Sequence, residues 1–260
     1  MKLKLHMLVF ILFALTSLSA GCTFGDNGDD QSVTLTISAA ASMKDALDDV
    51  TEKYKSENQD VDFVVNYGSS GSLMNQISEG AKVDIFISAA QMQMDMLESK
   101  DLIDKKMRTD ILENSLVFVV QKGDTLYSLK DLETRKLESV AIGETNSVPA
   151  GQYAKEAFEN IGFYDSINSS LVFAKDVRTV LSWVETGNVQ GGVVYSSDAH
   201  SSDKVDISFE FPQETHSPIT YPAAIVKDSS STEAAKIFLD YLKGEAASDI
   251  FKYHGFKPVK

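Results

Sequence analysis

From Val33 onward the chain alternates short β-branched runs with stretches of helical pattern, and this rhythm constrains the fold more than any other feature. "VTLTIS" predicts a strand and residues 43–56 a helix. "VDFVVNY" predicts a second strand, with a helix over 72–79, and "VDIFISA" a third, with a helix over 92–100. Strands separated by helices of this length are βαβ units, which place strands side by side in a parallel sheet and make the class α/β. "NSLVFVVQKG" (114–123) is a nearly unbroken apolar strand that opens a second series: "SVAIGE", a helix over 151–161, "SLVFA", a helix over 177–185, and "GGVVYSS". A β-rich passage with three of the five prolines follows (209–227), then a helix over 232–244 and a short tail. Two half-chains of one type, joined by extended passages near 114–120 and 215–226, predict two α/β lobes with the tail returning to the first.

The strands stop in an unusual way. "SAAASMKDAL" (38–47) and "NYGSSGSLMNQI" (66–77) each run small residues into a serine where a helix should begin. In open α/β sheets ligands sit beyond the carboxyl ends of the strands, at the helix starts. Unpaired N–H groups and a partial positive charge there hold an anion without a formal cation. Ser42 and Ser70 are therefore candidate donors, through backbone and hydroxyl alike. Read singly, each serine is equally an N-cap, and Ser42 with Asp45 three places on approximates a capping box. The second half offers matching starts: Pro149, Ala150 and Gly151 in "NSVPAGQYA", Asp176 as a cap with Val177 at the helix start in "AKDVRTVL", and Tyr195 ending the strand of "GGVVYSSDA".

Charge narrows the partners. The chain carries 24 basic and 38 acidic residues, a formal net charge of −14. Such a chain repels nucleic acid and anionic lipid, so neither is expected as a partner. Any anion it binds must be held by local dipoles. The first 22 residues, "MKLKLHMLVFILFALTSLSAGC", combine lysines, an apolar run from Leu5 to Leu18 and small residues before Cys22. That is the layout of a signal peptide over 1–21, the run being too short to span a bilayer. Cys22 is the single cysteine, so no intramolecular disulfide forms. "LSAGC" resembles the lipobox of bacterial lipoproteins, which implies lipidation of Cys22 and a membrane anchor; the alternative is a secreted protein with a free thiol. Residues 22–32 are polar and acidic and suit a flexible tether.

Enzyme motifs are missing. There is no G-x-S-x-G elbow, and "GSSGSL" lacks the lysine of a phosphate-binding loop. His200, His216 and His254 have no metal-ligand spacing and are expected at the surface. Arg178, close to the proposed site, is expected in a salt bridge or at a surface position on its helix, with contact to the anion as the alternative.

The ordered succession "AAASMKDAL", "YGSSGSL", "DIFISA", "NSLVFVV", "VPAGQYAKEAF", "DVRTVLSWVE", "GGVVYSSDA" and "YLKGEAASDIFKYHGF" closely resembles the bacterial molybdate-binding proteins of ABC transporters. The resemblance runs from Val33 to Phe256. It implies a two-lobed, periplasmic-binding-protein-like fold of type II, each lobe a mixed sheet flanked by helices, joined by two crossover segments. The lobe boundaries expected are 33–115 with 216–260, and 116–215. It implies an extracytoplasmic monomer with no catalytic step, cofactor or directly ligated metal, which captures molybdate or tungstate and hands it to an ABC permease. Carried over by motif, the anion-binding residues are Ser42, Ser70, Ala150, Val177 and Tyr195. Relatives often carry another small or hydroxyl residue in place of Gly71. Molybdate and tungstate accept hydrogen bonds and donate none, so a cleft of donors satisfies them; hydrogen phosphate carries a proton that such a site leaves unpaired. Sulfate differs only in size and stands as the alternative ligand, with an extracytoplasmic enzyme as the more distant alternative.

Overall fold

The computed structural model describes residues 32–259 except 135–136. The expected leader (1–21), Cys22 and all but the last residue of the tether lie outside the described residues. Two mixed sheets carry the architecture. The first is built from β1 (Val33–Ala40), β2 (Val61–Gly68), β3 (Ile85–Ile87), β4 (Thr109–Glu113), β10 (Thr220–Ile225) and β11 (Lys257–Pro258), in the order β11-β4-β10-β3-β1-β2. The second is built from β5 (Leu116–Gln121), β6 (Val140–Gly143), β7 (Leu171–Ala174), β8 (Gly191–Tyr195) and β9 (Val205–Glu210), in the order β7-β6-β8-β5-β9.

β1 pairs parallel with β2 and β3, and β6 pairs parallel with β7 and β8, as βαβ units require. β10 runs antiparallel to β3 and β4, and β5 antiparallel to β8 and β9. The chain passes from the first sheet to the second through Asn114 and Ser115, between β4 and β5, and returns between β9 and β10. The first passage falls in the stretch expected near 114–120, while the second, residues 211–219, begins ahead of the stretch expected at 215–226 and overlaps it only in part.

The helices follow the strands: α1 (Lys44–Glu57), α2 (Ser70–Ser78) and α3 (Gln91–Ser99) in the first series; α4 (Leu129–Thr134), α5 (Pro149–Asn160), α6 (Tyr164–Ile167), α7 (Val177–Glu185) and α8 (Ser196–His200) in the second; and α9 (Thr232–Leu242) and α10 (Glu245–Tyr253) at the end. Among the described residues no helix is long and apolar enough to cross a membrane. Three elements depart from expectation. β4, "TDILE", has only Ile111 and Leu112 buried and was not expected; its pairing with β10 and the terminal β11 makes it a strand. The tail over 245–253 forms a helix that closes its apolar face on the core through Ala247 and Phe251. The sheet part of "VDIFISA" is only Ile85–Ile87.

Burial on both faces explains the unbroken apolar strands. In β3, Ile85 and Ile87 join the main core while Phe86 points the other way, onto Leu73, Met74 and Ile77 of α2 and Met94 and Leu97 of α3. β10 divides likewise, Ala223 and Ile225 to one side and Ala224 to the other. The first sheet is thereby clamped between helices.

Candidate functional site

The carboxyl ends of the central strands lie next to one another by register. Ala40 of β1 pairs with Gly68 of β2, Ala39 with Ile87 of β3, and Gly143 of β6 with Ala174 of β7. The chain beyond each of these ends meets at one small cavity. Ser42, Ser70, Ala150, Val177 and Tyr195 all line it, with Ala40, Ala41, Gly68, Ser69, Ala89, Val148, Pro149 and Asp176. The cavity thus draws together all five residues singled out in the sequence, three from the second series and two from the first. The lining is made of small side chains, so backbone is accessible there.

Local structure explains how donors reach it. Ser70 and Val177 are the first residues of α2 and α7, and Ala150 the second of α5, so their N–H groups lie beyond the reach of intrahelical carbonyls. Pro149 at the first position of α5 presets the helical backbone and has no N–H of its own to satisfy. Gly151, directly after, lets the helix start press on the strand end: a Cβ there would sit 1.9 Å from the Gly143 carbonyl oxygen.

The capping roles differ from those read in the sequence. Ser69, not Ser70, caps α2 by accepting from Ser72 N at 3.3 Å. The capping box expected at Ser42 and Asp45 does not form. Ser42 lies in a 3-10 turn (Ala41–Met43), and α1 begins at Lys44 with no side-chain cap. Both binding candidates are thereby released from capping. Asp176 is an N-cap as expected, accepting from Thr179 N at 2.7 Å and Thr179 Oγ1 at 2.8 Å.

Proton direction follows from the partners. Ser70 Oγ accepts Ala89 N–H at 3.0 Å, which leaves the hydroxyl proton for the cavity. Ser42 Oγ stands 3.0 Å from Tyr221 Oη. Asn114 Nδ2, which can only donate, reaches Tyr221 Oη at 3.3 Å, and Asn114 Oδ1 accepts Ser115 N–H at 2.9 Å, which orients the amide. Tyr221 therefore receives from Asn114 and passes its own proton toward Ser42, whose hydroxyl proton is again left for the cavity. Burial raises the Tyr221 phenol well above its ordinary value, with the Asp198 charge adding to it, so it stays protonated. Tyr195 completes the set. Its side chain is 1% exposed, burial holds its phenol protonated, and its Oη has no hydrogen-bond partner. A buried donor without a partner costs about 1–3 kcal/mol, so this hydroxyl is waiting for an acceptor.

No basic side chain lines the cavity. Arg178, next to Val177, is held by Asp45 and Asp198 at 2.7 and 3.1 Å, which realises the salt bridge expected of it. Among the histidines, His216 is a correction. It is buried, with Nδ1 2.8 Å from the Ser217 carbonyl and its ring edge on Tyr153, because the return crossover folds under α5. His200 is exposed and His254 pairs with Asp49. Among the described residues no group of three or more His, Cys, Asp or Glu could hold a metal ion. A larger groove lies between α3 and α5, but its charged lining residues are the carboxylates Asp95 and Glu156, and it collects no comparable set of helix starts.

Residues 35–257 match the family model described as bacterial extracellular solute-binding protein. The chain belongs to that family. Relatives sharpen the placement. The molybdate-binding protein ModA of Escherichia coli is 40% identical over 255 residues, covering 94% of this chain and 96% of its own length. YvgL of Bacillus subtilis, named by inference as an ABC transporter substrate-binding lipoprotein, is 45% identical, covering 94% and 95%. Among solved structures, the substrate-binding domain of a Clostridium difficile protein, named by inference as a molybdenum ABC transporter, is 44% identical. It covers 88% of this chain and all of its own with a TM-score of 0.70. The two-sheet architecture of this solute-binding family is the one expected from the sequence.

Proposed function

We propose that the protein captures molybdate, and tungstate with it, outside the cytoplasmic membrane and delivers it to an ABC permease. The oxyanion is cargo, bound through its oxygens by Ser42, Ser70, Ala150, Val177 and Tyr195, and no bond in it is made or broken. The observation that carries this reading is the cavity itself: helix-start N–H groups from both sheets, two serine protons directed by their partners, and an orphaned phenol, with no cation among them. A doubly charged acceptor satisfies every one of these donors at once, each charge-assisted bond contributing roughly 1.5–3 kcal/mol. The E. coli and C. difficile relatives support the choice of anion. The small-residue lining suits a compact tetrahedral ion.

Lipidation of Cys22 would hold this monomeric receptor at the membrane, its acidic tether leaving the domain free to meet the permease; the lipoprotein name of the B. subtilis relative supports it. The deciding experiment is a melting-temperature screen with molybdate, tungstate, sulfate and phosphate. A ligand at a hundred times its dissociation constant stabilises by about 2.7 kcal/mol. Shifts with molybdate and tungstate alone are expected. A shift with sulfate alone would replace the ligand, and one with phosphate would refute the donor-only site.

A further inference from the structure

Arg178 does not line the cavity, yet its guanidinium touches the supports of two residues that do, one from each half of the molecule. Nη2 donates to Asp45 Oδ2 at 2.7 Å and reaches the Ser42 carbonyl at 3.4 Å. Nε stands 3.1 Å from Asp198 Oδ1, and Nη1 donates to Ser201 Oγ at 3.0 Å. The other oxygen of Asp198 accepts Tyr195 N–H at 3.3 Å. Asp45 and Ser42 follow β1 of the first sheet; Arg178 follows β7 of the second, Tyr195 ends β8 and Asp198 comes just after it.

We propose that Arg178 is a positioning residue that latches the two halves over the bound anion and sets how fast it leaves; this rests on the reading of the cavity as the molybdate site. Its two carboxylate partners are unlike. Asp198 is fully buried and belongs to the same half as Arg178, so this pair persists when the cleft opens. Asp45 belongs to the other half and is 43% exposed, so opening returns it to water at little cost. The contact that breaks is the cheap one, and the contact that stays neutralises the buried carboxylate. A guanidinium fork can serve both partners and a carbonyl together, which a lysine cannot. Because two carboxylates face the single cation, the latch adds no net positive charge beside the anion.

Stopped-flow release of molybdate tests this, followed through the fluorescence of Trp183, the single tryptophan, which stands on α7 with Arg178. Asp45→Asn leaves the Arg178–Asp198 pair intact, so folding is not in question. It is expected to release molybdate about three- to fivefold faster at low salt, with little change in association. Added salt should accelerate release from the wild type and leave Asp45→Asn nearly unchanged, a response that a merely structural residue would not give. Arg178→Lys should release faster than the wild type too. Asp45→Asn releasing at the wild-type rate, with the wild-type salt dependence, overturns the latch alone. A wild-type protein that fails to bind molybdate overturns the reading of the cavity, and the latch with it.

Discussion

Gly71 donates its backbone N–H to the Ser147 carbonyl at 2.9 Å, joining the start of α2 to the loop before α5 across the cleft. A Cβ at Gly71 would stand 2.5 Å from that oxygen and 2.7 Å from Ser147 Cα, both backbone atoms that cannot turn aside. In this chain the two backbones approach too closely there to admit a Cβ without a shift of the Ser147 loop. Gly71→Val should weaken molybdate binding by tenfold or more, at about 1.4 kcal/mol per factor of ten. Small-angle scattering with saturating molybdate should show a more open particle than the wild type. Wild-type affinity in calorimetry would show that the contact is not needed.

Tyr195→Phe removes one buried hydroxyl that has no hydrogen-bond partner within the protein. Ligand-free stability should be kept or slightly raised, because a buried unsatisfied group disappears. Affinity should fall by about ten- to a hundredfold, the equivalent of one charge-assisted hydrogen bond. Calorimetry paired with a ligand-free melting curve separates the two effects.

Ser42→Ala and Ser70→Ala should each act on stability and on binding. Ser70 Oγ is the acceptor for the buried Ala89 N–H, so its loss should lower ligand-free stability by about 1–3 kcal/mol as well as affinity. Ser42 Oγ is likewise the acceptor for the buried Tyr221 O–H, since the bond from Asn114 satisfies only the phenol oxygen. Ser42→Ala should therefore also lower ligand-free stability by about 1–3 kcal/mol, along with affinity. Denaturant titration without ligand is the measurement; unchanged stability in either variant would contradict the assigned proton directions.

Asp198 gives an unusual pH response. Burial pushes its carboxyl up to about 6 from the ordinary 3.8; the Arg178 charge and the Tyr195 N–H pull it back, while Asp45 and Asp176 push it further up. The folded protein therefore holds a proton between about pH 4 and 6 that the unfolded chain releases. Its contribution to stability falls as pH rises through that window and is level above it, by about 3 kcal/mol in all. Chemical denaturation between pH 4 and 7 should show this slope in the wild type and lose it in Asp198→Asn. An unchanged slope in the variant would place the titration elsewhere.

The alternation of strands and helices and the helix starts that line the cavity were legible in the sequence because each rests on a local pattern. β-branched runs, helix starts and small residues act over a few positions, and Pro149 and Asp176 mark their helix starts by chemistry that needs no distant partner. Where an element depends on distant pairing, the local pattern was silent or misleading. β4 is a strand because β10 and β11 flank it, and His216 is buried because the return crossover passes beneath α5. Ser42 looked like a cap, and only the approach of Tyr221, 179 residues away, turned its hydroxyl into a directed donor.

By itself the sequence determined which backbone segments would end in free N–H groups, since helix starts are set by neighbouring residues. Only the tertiary structure decided that those ends converge on one cavity, that Tyr195 is left without a partner there, and that Arg178 spends its charge on Asp45 and Asp198. Those outcomes depend on contacts between residues far apart in the chain, and hydrogen bonds and ion pairs act only over a few ångströms once folding has brought the groups together.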